Sequence, residues 1–238
     1  MINKINNEII RSDEDIFLML DDLLEKRDAE WWGKFYSNKD KPIPFFTNDS
    51  DENLVSYIDS NIFKPGKVLD IGCGNGRNSL YLAKKQYEVH GIDFSQTSIE
   101  WAREKALESS LNVNFINMSI FDFETPDNNY DYIYDAGCLH HIKPHRRNKY
   151  LSKISKMLKD DGYYALTCFN LKGGANISDY DVYREYSMQG GLGFSEFKLK
   201  TILEQYFCIL EFREMKECKD NSLFGKDFCW AVLMRKKR

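Results

Sequence analysis

Two acids and three glycines at set spacings carry most of the chemistry this sequence offers. In Val68-Leu69-Asp70-Ile71-Gly72-Cys73-Gly74-Asn75-Gly76-Arg77 an acid sits in an apolar run that leads into glycines at every second position. Glycines at a strand-to-helix turn admit positive φ and let a ligand approach the main chain closely. A second acid, Asp93, closes the next apolar run in Gly91-Ile92-Asp93-Phe94-Ser95. A carboxylate there can accept hydrogen bonds from both hydroxyls of a ribose, and Phe94 offers a face on which a base can pack.

The spacing of this turn argues against a pyrophosphate across it. A dinucleotide loop needs a third glycine three residues after its second, so that pyrophosphate can sit on the helix N-terminus. Here Arg77 stands at that place, and Asp70 would repel phosphate oxygens. The turn suits a cation instead, and S-adenosylmethionine, with a positive amino group and a positive sulfonium, matches it.

Methyl transfer from a sulfonium is an in-line displacement, so alignment in a dry pocket can supply most of the catalysis and a base is optional. Asp135-Ala136-Gly137-Cys138-Leu139-His140-His141 follows the fourth apolar run, at the edge where open α/β sheets bind ligands. His140 or His141 can accept a proton from an acceptor, since imidazole titrates near neutrality. The alternative, that the pair packs or caps the next helix, stays open. Asp135 is expected to support the methionine end of the cofactor, and Cys73 to fill space within the turn. Cys138, His141 and His145 have the ligand types of a metal site, but Pro144 interrupts the helix that would align the histidines and no fourth ligand follows. No metal is expected.

The elements that must position these groups follow from periodicity. Ile16, Phe17, Leu20, Leu23 and Leu24 recur at helical spacing and lead into Trp31, Trp32, Phe35 and Tyr36, an N-terminal helical cap over residues 1–64. These aromatics, with Phe45 and Phe46, can close over the cofactor or make an ordinary amphipathic contact. A second helix, capped by Ser50 or Asp51, runs through Leu54, Val55, Tyr57 and Ile58 to Pro65-Gly66. Strands at Val68–Ile71, Glu88–Ile92, Val113–Ile116, Tyr130–Tyr134 and Tyr163–Phe169 then alternate with helices at Asn78–Lys85, Thr97–Ser109 and His145–Leu158. Such alternation predicts an α/β, doubly wound, mostly parallel sheet with right-handed crossovers, its cofactor-binding core spanning 65–170. Residues 171–193 read as an insert, and Tyr180 to Gly193 as a mobile pocket wall. A helix from Ser195 and strands at Phe207–Phe212 and Phe228–Met234, antiparallel to each other, complete a single domain.

Composition narrows the partners. With 238 residues, 42% hydrophobic and 29% charged, the chain has an ordinary globular profile. Its net charge of −4 disfavours nucleic acid. The basic Arg235-Lys236-Lys237-Arg238 reads as a solvated tail. The six cysteines form no C-x-x-C pair, and the start of the chain has no basic flank and apolar run of a signal peptide. A cytoplasmic protein, monomer or homodimer, without a membrane segment is expected.

Together with Tyr130-Asp131-Tyr132-Ile133-Tyr134-Asp135, these segments resemble the successive motifs of class I, Rossmann-like S-adenosylmethionine-dependent methyltransferases, over Gly66 to Phe169. Within that class, Gly72 to Leu82 resembles the tellurite-resistance and thiopurine methyltransferase-like branch. The resemblance implies a seven-stranded sheet with an antiparallel C-terminal strand. It also implies cofactor contacts from Asp70, Gly72, Cys73, Gly74, Asn75, Gly76, Asn78, Asp93 and Phe94, with Asp135, Ala136 and Gly137 beside the methyl end. Ser119 and Ile120 take the adenine edge, Met118-Ser119 standing where many members have Gly-Asp, so that a hydroxyl replaces a carboxylate. Asp160-Asp161-Gly162 replaces the usual Pro-Gly-Gly turn. The implied reaction carries a methyl group to a small-molecule acceptor and yields S-adenosylhomocysteine. The branch suggests a thiol or chalcogen acceptor, with oxygen and nitrogen open. A non-catalytic cofactor-binding regulator is the alternative, and an NAD-dependent oxidoreductase a weaker one.

Overall fold

The computed structural model describes residues 9–24, 27–218 and 222–237. Three helices precede the sheet: α1 (Asp13–Leu23), α2 (Ala29–Tyr36) and α3 (Glu52–Asp59). The helical periodicity that runs from Ile16 into Tyr36 divides into two helices because each half has its own N-cap. Ser12 and Asp15 form a reciprocal capping box for α1, and the Asp28 carboxylate accepts from Trp31 N for α2.

The core follows as β1 (Lys67–Ile71), α4 (Arg77–Lys84), β2 (Glu88–Asp93), α5 (Gln96–Glu108), β3 (Asn114–Asn117) and β4 (Tyr130–Ala136). After two short 3-10 turns come α6 (Arg147–Met157), β5 (Leu158–Phe169), α7 (Asp179–Arg184), α8 (Glu196–Leu203), β6 (Phe207–Glu214) and β7 (Cys229–Lys236). The strands form one seven-stranded sheet in the order β3-β2-β1-β4-β5-β7-β6. Strands β1 to β5 pair in parallel, and β7 is antiparallel to both of its neighbours. This is the doubly wound sheet with an antiparallel C-terminal strand that the alternation and the resemblance predict.

Burial explains why these runs are strands. Val68, Leu69, Ile71, Ile133 and Tyr134 are almost wholly enclosed, as expected of parallel strands covered on both faces. The strand order reverses between β1 and β4, and β1 and β4 run side by side from Val68–Tyr132 to Ile71–Asp135. The crevice beyond their carboxyl ends is where such sheets take ligands.

Two local expectations change. Asp160-Asp161-Gly162 is not a turn ahead of a strand but lies inside β5, whose register against β4 slips between Tyr130 and Tyr132. A Cβ at Gly162 would lie 2.8 Å from the Asp131 carbonyl oxygen, so only glycine permits this irregular pairing. The insert is also partly ordered, since Ser178 caps α7 and Ala175 bridges to Leu192. Among the described residues no helix is long and apolar enough to cross a membrane.

Candidate cofactor and acceptor site

The turn after β1 is held by its own glycines and by the acid of the next strand. Gly76, at φ 77°, caps α4, and a Cβ there would stand 2.8 Å from the Phe115 ring and 3.0 Å from Ala102. Close packing of β3 and α5 against the turn therefore demands glycine. Asp93 Oδ2 accepts from Gly74 N at 3.0 Å and its Oδ1 from Ser95 N at 2.8 Å. Two charge-assisted bonds fix the carboxylate at the end of β2, while burial still lifts its pKa above the ordinary carboxylate value. Asp70, one strand over, accepts from Ser79 Oγ at 2.6 Å, and burial pushes it up to about 7.

A cavity of about 620 Å³ opens over this turn. Asp70, Gly72, Cys73, Gly74, Asn75 and Asn78 line its floor. Asp93, Phe94, Ser119 and Ile120 line one end, and Ala136, Gly137, His140 and His141 a further wall. Fourteen of the sixteen expected site residues are thus brought together, and two are not. Gly76 faces α5 and β3, as its packing requires. Asp135 is fully buried and does not line the cavity. It points to the other face of β4 and accepts from Cys138 N (2.7 Å), Leu139 N (3.2 Å), Tyr150 Oη (2.7 Å) and Tyr164 Oη (3.2 Å). Four protein donors occupy it. Its work is to hold the turn that carries the histidines, and burial raises it to about 6.

The two histidines differ in their surroundings. Phe169 N donates to His140 Nδ1 at 3.3 Å, and the Phe169 ring stacks on the imidazole with centroids 3.8 Å apart. That bond makes Nδ1 the unprotonated nitrogen. Burial drives the pKa of His140 well below the usual imidazole range. His141 meets the Trp32 ring edge-on at 5.0 Å, and burial, followed by the nearby Arg27 cation, brings it down to about 3. Both rings are neutral at neutral pH. His145 is elsewhere, bonded to Tyr183 Oη (2.6 Å) and Asp21 (3.1 Å), so Cys138, His141 and His145 do not converge. Among the described residues no group of three metal-ligating side chains is gathered.

The cover comes from the N-terminal helices. Trp32 and Tyr36 of α2, with Pro44 and Phe45, line the cavity, and a Cβ on Gly74 would come within 2.7 Å of Tyr36 Oη. The chain after α2 is tied to the glycine turn by Asn75 Nδ2 to Thr47 O (3.4 Å) and Arg77 Nη1 to Asp49 O (2.9 Å). Arg77 also pairs with the buried Asp51 at 2.5 Å, which accepts from Tyr134 Oη at 2.6 Å and from Asn78 Nδ2 at 3.1 Å. Tyr180 to Gly193, expected as a pocket wall, and the rest of the 171–193 insert lie behind the histidines rather than on the cavity. Leu192 N donates to His140 O, and Gly191 packs against both imidazoles.

Thr167 and Phe169 at the end of β5, Asp122 after β3, and Phe224, Phe228 and Cys229 also line the cavity. They fall outside the motifs that the sequence displays. Alternation along β5 carries the signal for the first pair, since 167 and 169 fall on one face of a strand ending at the ligand-binding edge. Asp122 and Phe224 lie in irregular chain, which leaves no such trace.

The glycine turn leaves main chain open to a ligand, a fixed carboxylate stands at the end of β2, and a second acid, Asp70, lines the floor, so the residues fit S-adenosylmethionine. Residues 68–162 match the family described as Methyltransferase domain. An uncharacterized methyltransferase of Schizosaccharomyces pombe is 30% identical over 132 residues, covering 54% of this chain and 91% of that protein. Phosphoethanolamine N-methyltransferase 1 of Arabidopsis thaliana is 29% identical over 200 residues, covering 77% of this chain, which spans only 40% of that protein. The fold is also that of a TehB-like SAM-dependent methyltransferase from Corynebacterium glutamicum, with a TM-score of 0.53 and 21% identity over 78% of this chain and 88% of that one. Sequence motifs, sheet order and family match agree, and the chain belongs to the class I S-adenosylmethionine-dependent methyltransferases.

Proposed function

We propose that this chain transfers a methyl group to a small-molecule acceptor. The observation that carries the reading is the continuity of the cavity, which runs from Asp93 across the glycine turn to a chamber beside His141, Thr167 and Phe169. Asp93 takes the ribose hydroxyls, Phe94, Ser119 and Ile120 border the adenine, and Asp70 with Gly72 receives the amino end. When bound, S-adenosylmethionine supplies a methyl carbon whose bond to sulfur breaks as the acceptor's lone pair forms the new one, leaving neutral S-adenosylhomocysteine while the acceptor's proton passes to water.

The chain's own contribution is alignment and exclusion of water. Trp32, Tyr36 and Phe45 close the cavity from above. His141 is too weak a base to hold a proton at neutral pH, which supports a role in orienting the acceptor by accepting a hydrogen bond. His140, with Nδ1 engaged by Phe169 N, supports that wall of the chamber.

The test is calorimetric titration with S-adenosylhomocysteine, followed by an assay of S-adenosylhomocysteine release over a panel of oxygen, nitrogen and sulfur acceptors. Binding with turnover of at least one acceptor supports the reading. Binding with silence across all three classes supports a cofactor-binding regulator instead, and no binding removes both.

A further inference from the structure

The acceptor chamber has a chemical character that the methyl-transfer reading, on which this inference rests, leaves open. The part of the cavity over β4, β5 and β7 is walled by aromatic rings in a connected series. Trp32 meets His141 at 5.0 Å, His141 meets Phe169 at 6.3 Å, and Phe169 meets Phe228 at 6.1 Å. Phe224 lines the cavity too, with the Arg77 guanidinium 4.3 Å from its ring centroid.

Apart from Arg77, the polar groups among these rings carry no charge at neutral pH. Both imidazoles are neutral, burial pushes the Cys229 thiol up to about 12, and the Thr167 hydroxyl lies 3.3 Å from Tyr134 Oη. The cations that reach this region are already engaged. Arg77 is paired with Asp51, and Arg27 donates to the Gly190 carbonyl at 2.7 Å and lies over the Trp31 ring at 4.7 Å. The charged lining is gathered elsewhere, where α1 meets the start of α6. There Arg146 binds Glu14 (2.7 Å) and Asp21 (2.6 Å), Lys143 reaches Asp21 at 3.2 Å and Lys149 reaches Glu14 at 3.8 Å.

A charged acceptor entering the chamber would lose its water without gaining a counter-ion, a large penalty. A flat neutral molecule would exchange water for ring contacts, which favours binding. We infer that the acceptor is an uncharged molecule built on an aromatic or heteroaromatic ring, seated against Phe169 and Trp32 with its reacting heteroatom toward His141. The chamber selects against phosphorylated amines such as the compound named for the Arabidopsis relative, which would need an unengaged cation for the phosphate.

The test uses the full chain saturated with S-adenosylhomocysteine, so that cofactor affinity is measured first and separately. Three probes are then titrated by calorimetry: 2-naphthol, its 6-sulfonate, and phosphoethanolamine. The inference expects 2-naphthol to bind at least tenfold more tightly than either charged probe. It also expects Phe169→Leu to weaken 2-naphthol at least fivefold while leaving S-adenosylhomocysteine affinity within twofold. Equal affinities, a preference for either charged probe, or no binding of 2-naphthol by the loaded protein overturns the inference and leaves the cofactor reading intact. Failure to bind S-adenosylhomocysteine at all would instead overturn the reading beneath it.

Discussion

Asp93 Oδ2 accepts the main-chain N–H of Gly74 at 3.0 Å, so the acid at the end of β2 holds the glycine turn at the end of β1. One side chain thereby shapes the floor of the cavity and lines it. Asp93→Ala should weaken S-adenosylhomocysteine at least tenfold, about 1.4 kcal/mol. It should also lower the midpoint of thermal unfolding, because the Gly74 and Ser95 N–H groups lose their partner. Calorimetry and a melting curve on the same variant measure the two effects, and an unchanged affinity would remove Asp93 from the binding site.

Asp70 gives cofactor binding a pH dependence. Burial holds its carboxyl up to about 7 in the free protein, whereas a cationic amino group beside it favours the ionised form. Binding should then release a proton, and affinity should rise from pH 6 to pH 8. Titration at pH 7 in two buffers of different ionisation enthalpy reads the proton directly, and Asp70→Asn should abolish the difference. The sign for folding is opposite. A raised carboxyl contributes stability that is complete below pH 3.8 and lost as pH rises through about 7, so unfolding midpoints of Asp70→Asn should fall less than those of the parent between pH 5 and pH 8.

Asp135 belongs to the fold rather than to the ligand. Its replacement by alanine strands two buried tyrosine hydroxyls and two main-chain N–H groups, which should cost about 3 kcal/mol or more of stability. Affinity for S-adenosylhomocysteine, measured at a temperature where the variant is still folded, should change less than about fivefold. A large loss of affinity with unchanged stability would return Asp135 to the cavity.

The first helix is held mainly by charge. No residue of α1 is fully buried, and Asp21 accepts from Arg146, Lys143 and His145, which hold its carboxyl well below the usual range against the opposing effect of burial. Added salt screens such contacts. Amide hydrogen exchange over residues 13–23 should therefore accelerate between 50 mM and 500 mM sodium chloride by about threefold or more, while β1 and β4 stay protected. Equal protection of α1 at both ionic strengths would mean that packing holds it.

Much of this was legible in the chain because local rules and the global fold agree. The glycine turn could be placed because Gly72, Gly74 and Gly76 all require positive φ, and the sheet because buried parallel strands must be continuous apolar runs. Asp135 misled because a strand's side chains alternate faces, and a span ending two residues later than expected does not reveal which face carries the ligand. Gly76 was placed on the ligand side for a similar reason: a glycine that admits close approach does not say what approaches, and here it is Phe115 and Ala102. The chamber was hidden because Thr167 and Phe169 come from β5, Cys229 from β7 and Phe228 from the residue just before β7, and these strands meet only through antiparallel pairing of distant segments. Nor could spacing alone separate the tasks of His140 and His141, because the difference lies in a bond from Phe169 N.

The central claim is that this cavity holds the methyl donor with its sugar on Asp93 and its sulfur toward the aromatic chamber. A crystal structure with S-adenosylhomocysteine tests it most directly. The account predicts both ribose hydroxyls within hydrogen-bond distance of the Asp93 carboxylate and the sulfur facing His141. The nucleotide lying elsewhere, or its sulfur turned toward the charged groups of α1 and Arg146, would contradict it.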